Sequence, residues 1–384
     1  MNDRNVMTHL ADTRSWLSDG LTDALQLLRV NDTPAQWMCQ LADRGLDRLP
    51  LPGRGQTLLR WQALAAVAAH DLSLARLFEG HADALAILAE LEPNAEARLD
   101  PFDVIHSVSI TTHTQRLTAQ ADLAGRGVWA VWAAESVLSK VTFELAHTPS
   151  QPARLKLHGT KTWCSGAACV SDALVTAWGV DGAGPQLVRV AMNQLGVEVR
   201  TGSWRAVGMG ASGSVDVTFA GAFAEPVGSV GAYLTRPGFW HGGAGVAACW
   251  YGGALALGRA LQRSLQQTPI SQRNPYRLAA LGKVDVTLQA TAGLLRDLAD
   301  WVDAHPHEDA RIKAARVRLA TESCARQVLD EAGRALGAAA YCHDAAFARA
   351  AADLPVYIRQ CHGERDFAQL GSWAADELPS LWKL

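Results

Sequence analysis

The chain contains no Cys-x-x-Cys pair. Its seven cysteines (39, 164, 169, 249, 324, 342 and 361) form an odd, scattered set. That pattern excludes a disulfide framework and reads as reduced thiols in a cytoplasmic protein. Glycine-rich phosphate loops of the Rossmann and P-loop types are missing. No His-x-x-x-His spacing occurs, so His305-Pro306-His307-Glu308 reads as a loop and no metal site is expected. There is no basic stripe. The net charge is −3, with Lys and Arg interspersed among Asp and Glu, which excludes a nucleic-acid binder. The start, Met1-Asn2-Asp3-Arg4-Asn5, has no signal-peptide apolar run. Gly242 to Leu257 is the most apolar stretch, but it holds five glycines and is too short to cross a bilayer. It reads as a buried helix.

What is present is core-forming material. The 384 residues are 49% hydrophobic and 19% charged, enough for two or three domains or one large composite fold. Thirteen tryptophans suit buried interfaces or a flat-ligand pocket. Three zones follow one another. Residues 1–120 carry helical periodicity: Trp61, Leu64, Ala65 and Ala68 share a face, followed by Leu72, Ala75, Leu77 and Phe78, with helix-ending breaks at Pro50-Leu51-Pro52-Gly53 and at Pro93. Residues 121–232 switch to period two. Val128, Ala130, Trp132 and Ala134 alternate with apolar neighbours, so that strand is covered on both faces, and Leu187–Val190, Val197–Val199 and Val215–Phe219 read as further strands of a small barrel or sandwich. Residues 233–384 return to long helical patterns. Four segments, roughly 237–267, 276–304, 308–336 and 344–370, make a four-helix bundle.

The stretch from Leu155 to Ala167 (Leu-Lys-Leu-His-Gly-Thr-Lys-Thr-Trp-Cys-Ser-Gly-Ala) reads as a β-hairpin turning at His158-Gly159. Its second arm places Trp163 and Ser165 two apart, on one face of a strand. An aromatic plate beside a hydroxyl suits a flat, polar, conjugated ligand; the same residues also suit an ordinary hairpin with a half-buried Trp.

This element resembles the Gly-x-Lys-x-Trp-[Ile/Cys]-[Thr/Ser]-Gly-Ala segment of the acyl-CoA dehydrogenase family. Three further stretches resemble that family in the same order: Trp204–Ser214 leading into Val217-Thr218-Phe219, Arg334–Tyr341, and Arg349–Asp353. The resemblance covers nearly the whole chain. It implies an α+β acyl-CoA dehydrogenase-like fold: an N-terminal helical domain, a middle β-barrel or sandwich domain, and a C-terminal four-helix bundle. It also implies FAD as cofactor, and a homodimer or homotetramer. Trp163 and Ser165 would border the isoalloxazine ring. Ala133 and Ala134 stand where the family has a Leu-Thr pair, so the Thr hydroxyl is lost. Arg273 matches a pyrophosphate-binding Arg, and Arg334 with Gly337 matches an element that reaches across a dimer, with Arg for Gln and Ala338 for a second Gly. Arg273 and Arg334 equally suit ordinary surface or interhelix positions.

The resemblance fails at the catalytic base. The family's Glu position reads Gln360-Cys361-His362, and the alternative position near Gly238-Phe239-Trp240-His241 also lacks Glu. Three neighbours are candidate substitutes. Glu364 reaches the same side if the helix continues, His362 titrates in the working range, and Cys361 occupies the position itself. All three also fit helix-cap or core roles, and residues 362–366 fit a solvated, self-paired helix turn. Three functions follow as expectations. The first is an FAD-dependent oxidoreductase acting on an acyl-CoA or related thioester, with an electron-accepting flavoprotein as partner. The second is a flavin monooxygenase or oxidase of the same fold, with oxygen as acceptor. The third is a non-catalytic paralogue serving as a partner subunit.

Overall fold

The computed structural model describes residues 19–29, 31–92, 127–135, 140–146, 154–182 and 184–377. The segment around Pro93 lies outside the described residues, so the break expected there is not taken further.

Helices come first: α1 (19–27), α2 (Pro34–Asp43), α3 (Thr57–His70) and α4 (Leu72–Leu91). Local chemistry fixes their starts. Thr33 and Gln36 form a capping box ahead of Pro34, and the Asp71 carboxylate accepts from Leu74 N, so α3 and α4 meet at a single capped corner. The strands are β1 (Trp129–Trp132), β2 (Val141–Ala146), β3 (Arg154–Cys164), β4 (Asp172–Gly179), β5 (Gln186–Ala191), β6 (Val197–Arg200) and β7 (Val215–Val227). β4, β2, β3, β7 and β5 pair in turn, and β5 pairs back onto β4, so five strands close a ring. β1 adds to β4 and β6 to β7. Closure leaves this ring without edges, as the alternating pattern predicted for a barrel.

The long helices follow: α5 (Gly238–Gln266), α6 (Pro275–Ala304), α7 (Arg311–Leu336), α8 (Ala345–Tyr357) and α9 (Glu364–Glu377). The glycines of α5 permit backbone contact with α3: a Cβ on Gly252 would sit 2.2 Å from the Ala65 carbonyl oxygen. Among the described residues no helix is long and apolar enough to cross a membrane.

Two local readings are corrected. Leu155–Cys164 is not a hairpin. It is one continuous strand, paired with β2 on one side and β7 on the other. Gly159 has φ +110°, and its glycine is required because a Cβ would lie 2.3 Å from the Lys140 carbonyl oxygen, whereas the nearby bulge is at Gly221 of β7 (φ +78°), skipped between the pairs Leu157–Ala222 and His158–Ala220. The fourth bundle helix also stops earlier than 370. After Pro355 the chain tightens into a 3₁₀ turn (Ile358–Gln360), becomes extended at Cys361, and reverses at Gly363 with φ +57° before α9 begins.

Candidate functional site

The end of β3 is where the sequence placed its strongest motif. There the strand period breaks. Trp163 takes a left-handed backbone (φ +59°), and the pairing with β7 shifts between Lys161 and Cys164. Trp163 and Ser165 therefore do not share a face. The indole of Trp163 is 54% exposed, whereas Ser165 is 6% exposed and points inward. Beneath the strand the buried Lys161 ammonium binds Glu135 at 2.9 Å and the Thr176 hydroxyl at 2.8 Å, tying the end of β1 to β3 and β4. Burial lowers the Lys161 pKa, and Glu135 opposes that shift. Ala133 is half-buried and Ala134 exposed, just before that Glu.

Ser165 belongs to a directed hydrogen-bond chain. Ser212 Oγ donates to the Met209 carbonyl at 2.7 Å, which uses its proton. Ser214 must then donate to Ser212 at 2.8 Å, and Ser165 must donate to Ser214 at 2.8 Å. Arg76 Nε donates into Ser165 at 3.0 Å. The Ser165 proton is thus committed to Ser214. The far end of the chain continues from Met209, whose N–H donates to Asp353 of α8 at 2.5 Å. Arg76 also pairs with Glu79, one turn along α4. Glu79 is 3% exposed, and burial pushes its carboxyl up to about 7 although Arg76 pulls it down.

Further buried polar groups gather where α4, α5, α7 and the turn after α8 meet. Arg60 pairs with Asp83 at 3.0 Å, and Arg236 with Glu90 at 2.6 Å. Arg318 donates to the Gly243 carbonyl at 2.6 Å and the Gln360 carbonyl at 3.1 Å, with its guanidinium 4.7 Å from the centre of the Trp250 ring. Among the described residues the buried atoms Trp250 Nε1, Gln360 Oε1 and His241 Nε2 have no hydrogen-bond partner, and the Tyr357 hydroxyl lies against the Cys249 thiol. Burial lowers the His241 pKa, which keeps its ring neutral near pH 7.

The three base candidates are separated by the turn at 361–363. Cys361 is buried, and desolvation raises its thiol pKa, so it is not the thiolate a base would need. His362 is exposed and faces Asp366 on α9, whose carboxylate also accepts its backbone N–H at 2.9 Å. Glu364 opens α9 as an exposed residue, so the continuous helix that would carry it beside Gln360 does not exist. Arg273 donates to the Thr268 carbonyl at 3.1 Å. Arg334 is 68% exposed and pairs with Asp330 at 2.5 Å and Glu331 at 3.5 Å; with Gly337 it borders an open groove of about 760 Å³. Among the described residues no cluster of His, Cys, Asp or Glu could hold a metal ion.

Sequence reading missed Arg76, Glu79 and Arg318. The signal was available: each is a charged residue inside an otherwise buried helical stripe, Arg76 and Glu79 among Leu72, Ala75 and Phe78, and Arg318 between Val317 and Leu319. His81, by contrast, is structural, held between Asp47 at 3.0 Å and the Trp129 N–H at 3.0 Å.

No protein-family model matches the chain, and no curated protein matches it. Solved structures do. The complex of TdsC from Paenibacillus sp. A11-2 with FMN and indole is 20% identical, covers 97% of this chain and 99% of that one, and gives a TM-score of 0.74. A nitrososynthase from Micromonospora carbonacea var. africana is 20% identical, with 95% and 96% coverage and a TM-score of 0.71. The methanesulfinate monooxygenase MsuC from Pseudomonas fluorescens is 18% identical, with 96% and 97% coverage and a TM-score of 0.71. The chain has the acyl-CoA dehydrogenase-like fold, with mixed helical and β regions.

Proposed function

We propose that this chain is a flavin-dependent oxidoreductase of the monooxygenase or oxidase type, not an α,β-dehydrogenase of acyl-CoA thioesters. The observation that carries this reading is the turn at Gln360-Cys361, where a catalytic carboxylate would be needed. It presents a neutral amide and a thiol kept protonated by burial, while Glu364 faces solvent on the next helix. Removing the α-proton of a thioester requires a positioned base, and none of the three candidates is one.

The residues around β3 fit a flavin. Trp163 offers a half-exposed indole face to the isoalloxazine, in a left-handed backbone that costs of order 1 kcal/mol and persists because the surrounding structure fixes it. The Arg76–Ser165–Ser214–Ser212 chain braces this wall from behind. A bound flavin would supply two-electron transfer and, when reduced, reactivity toward oxygen. Glu79, with its carboxyl near 7, can hold or release a proton at neutral pH beside that wall.

The reading extends to FMN in place of FAD. A pyrophosphate at Arg334 would meet Asp330 and Glu331, which already neutralise that guanidinium. TdsC, which is similar in fold, binds FMN in its complex.

The test is retention of flavin on gel filtration after mixing with FMN or FAD, followed by oxygen uptake once the bound flavin is reduced. FMN retained at least as well as FAD, weakened at least tenfold by Trp163→Ala, supports the reading. A protein that retains neither flavin overturns it.

A further inference from the structure

We propose that Arg318 anchors the oxyanion of an organic substrate, a small carboxylic or sulfonic acid. Every other buried cation at the junction has a carboxylate partner: Arg60 with Asp83, Arg76 with Glu79 and Arg236 with Glu90. Arg318 has none among the described residues. It contacts two backbone carbonyls and the face of Trp250. Glu79 and Asp366 lie within electrostatic reach but neither makes an ion pair with it. A guanidinium carries five N–H donors, and two carbonyls leave it with donors to spare and a full positive charge in a partly buried position. Burying such a charge without a counter-ion is unfavourable, and an oxyanion ligand removes the penalty.

A neighbouring orphan fits the same ligand. Trp250, fully buried under the guanidinium, has an unpartnered Nε1–H. A cation with spare N–H donors, stacked on an indole whose N–H is unpartnered, forms a charge-assisted oxyanion site. Gln360, whose carbonyl holds Arg318, belongs to the turn where the base of a dehydrogenase would stand, so the group bound there belongs to the substrate. The assignment of that oxyanion to a flavin substrate rests on the function proposed above; the anion site itself does not.

The experiment is isothermal titration of the full chain, with and without FMN, using benzoate and methanesulfonate as probes and benzamide and methanesulfonamide as neutral isosteres. The expected result is at least a tenfold preference for the anion, abolished in Arg318→Gln with the neutral isostere unaffected. No anion preference in the wild type, or an undiminished one in Arg318→Gln, overturns the proposal. The second of those results, together with FMN binding weakened tenfold, assigns the guanidinium to the flavin phosphate. If Arg318→Gln does not fold, Arg318→Lys decides, because it keeps the charge and loses the planar fork of donors. It should lose at least threefold in anion affinity alone, and unchanged anion affinity overturns the site. A protein that selects benzoate yet retains no flavin on gel filtration keeps this site and sinks only the flavin reading.

Discussion

Arg76 Nε donates to the hydroxyl of Ser165 across 3.0 Å, and this bond fixes the end of β3 to α4. Because Ser165 passes its own proton to Ser214, the interaction has a direction, running from a buried cation to the Met209 carbonyl. Arg76 is in turn held by Glu79. Arg76→Met leaves Glu79 buried without its cation and Ser165 without its donor. The expected destabilisation in urea is about 3 kcal/mol. Arg76→Met/Glu79→Met should recover at least half of that loss, because no uncompensated charge remains. A double variant less stable than the single one would contradict this pairing.

Glu79 makes stability depend on pH with a known sign. Its folded pKa, about 7, lies above the ordinary value of 4.5, so the native state holds a proton that the unfolded chain has already released. Its contribution is fully present below pH 4.5 and is lost as pH rises through 7, a change of about 3 kcal/mol. Denaturation at pH 5 and pH 8 should show the wild type losing more stability than Glu79→Gln over that interval. Equal losses would remove Glu79 as the titrating group.

Gly159→Ala tests the close approach of β2 to β3. The new methyl would press on the Lys140 carbonyl, in a backbone region that L-residues avoid, and should cost about 2–4 kcal/mol. Gly210→Ala is the control, since a Cβ there meets nothing within 4 Å, and should stay within about 0.5 kcal/mol. Equal effects in thermal melts would contradict the close approach of β2 to β3.

Glu364→Gln separates the base candidates. Glu364 is exposed on α9, beyond the turn at Gly363, so turnover with reduced flavin and oxygen should change by less than about twofold. A hundredfold loss would place its carboxylate in the chemistry and contradict the break after Gln360.

The fold was legible because period and punctuation agree over long stretches. The α5 to α7 bounds lie close to the apolar repeats, and β1 is buried on both faces as its unbroken apolar run requires. The site was less legible for physical reasons. His158-Gly159 carries turn chemistry, but a glycine also serves where another backbone comes close, and only tertiary pairing distinguishes the two. The pair Trp163 and Ser165 was separated by one left-handed residue, which shifts the alternation that period-two reading assumes. The run from Ala345 past Gln360 keeps helical spacing through Pro355 although the chain leaves the helix there. Arg76 and Arg318 lie in buried stripes, where a pattern of apolar residues is read through the charges that interrupt it.

The central claim, a flavin enzyme without thioester dehydrogenation, is tested most directly by anaerobic titration of the FMN-loaded protein with acyl-CoAs of several chain lengths, followed in the visible spectrum. The account predicts a bound-flavin spectrum that no acyl-CoA bleaches. Stoichiometric bleaching by any of them would contradict it.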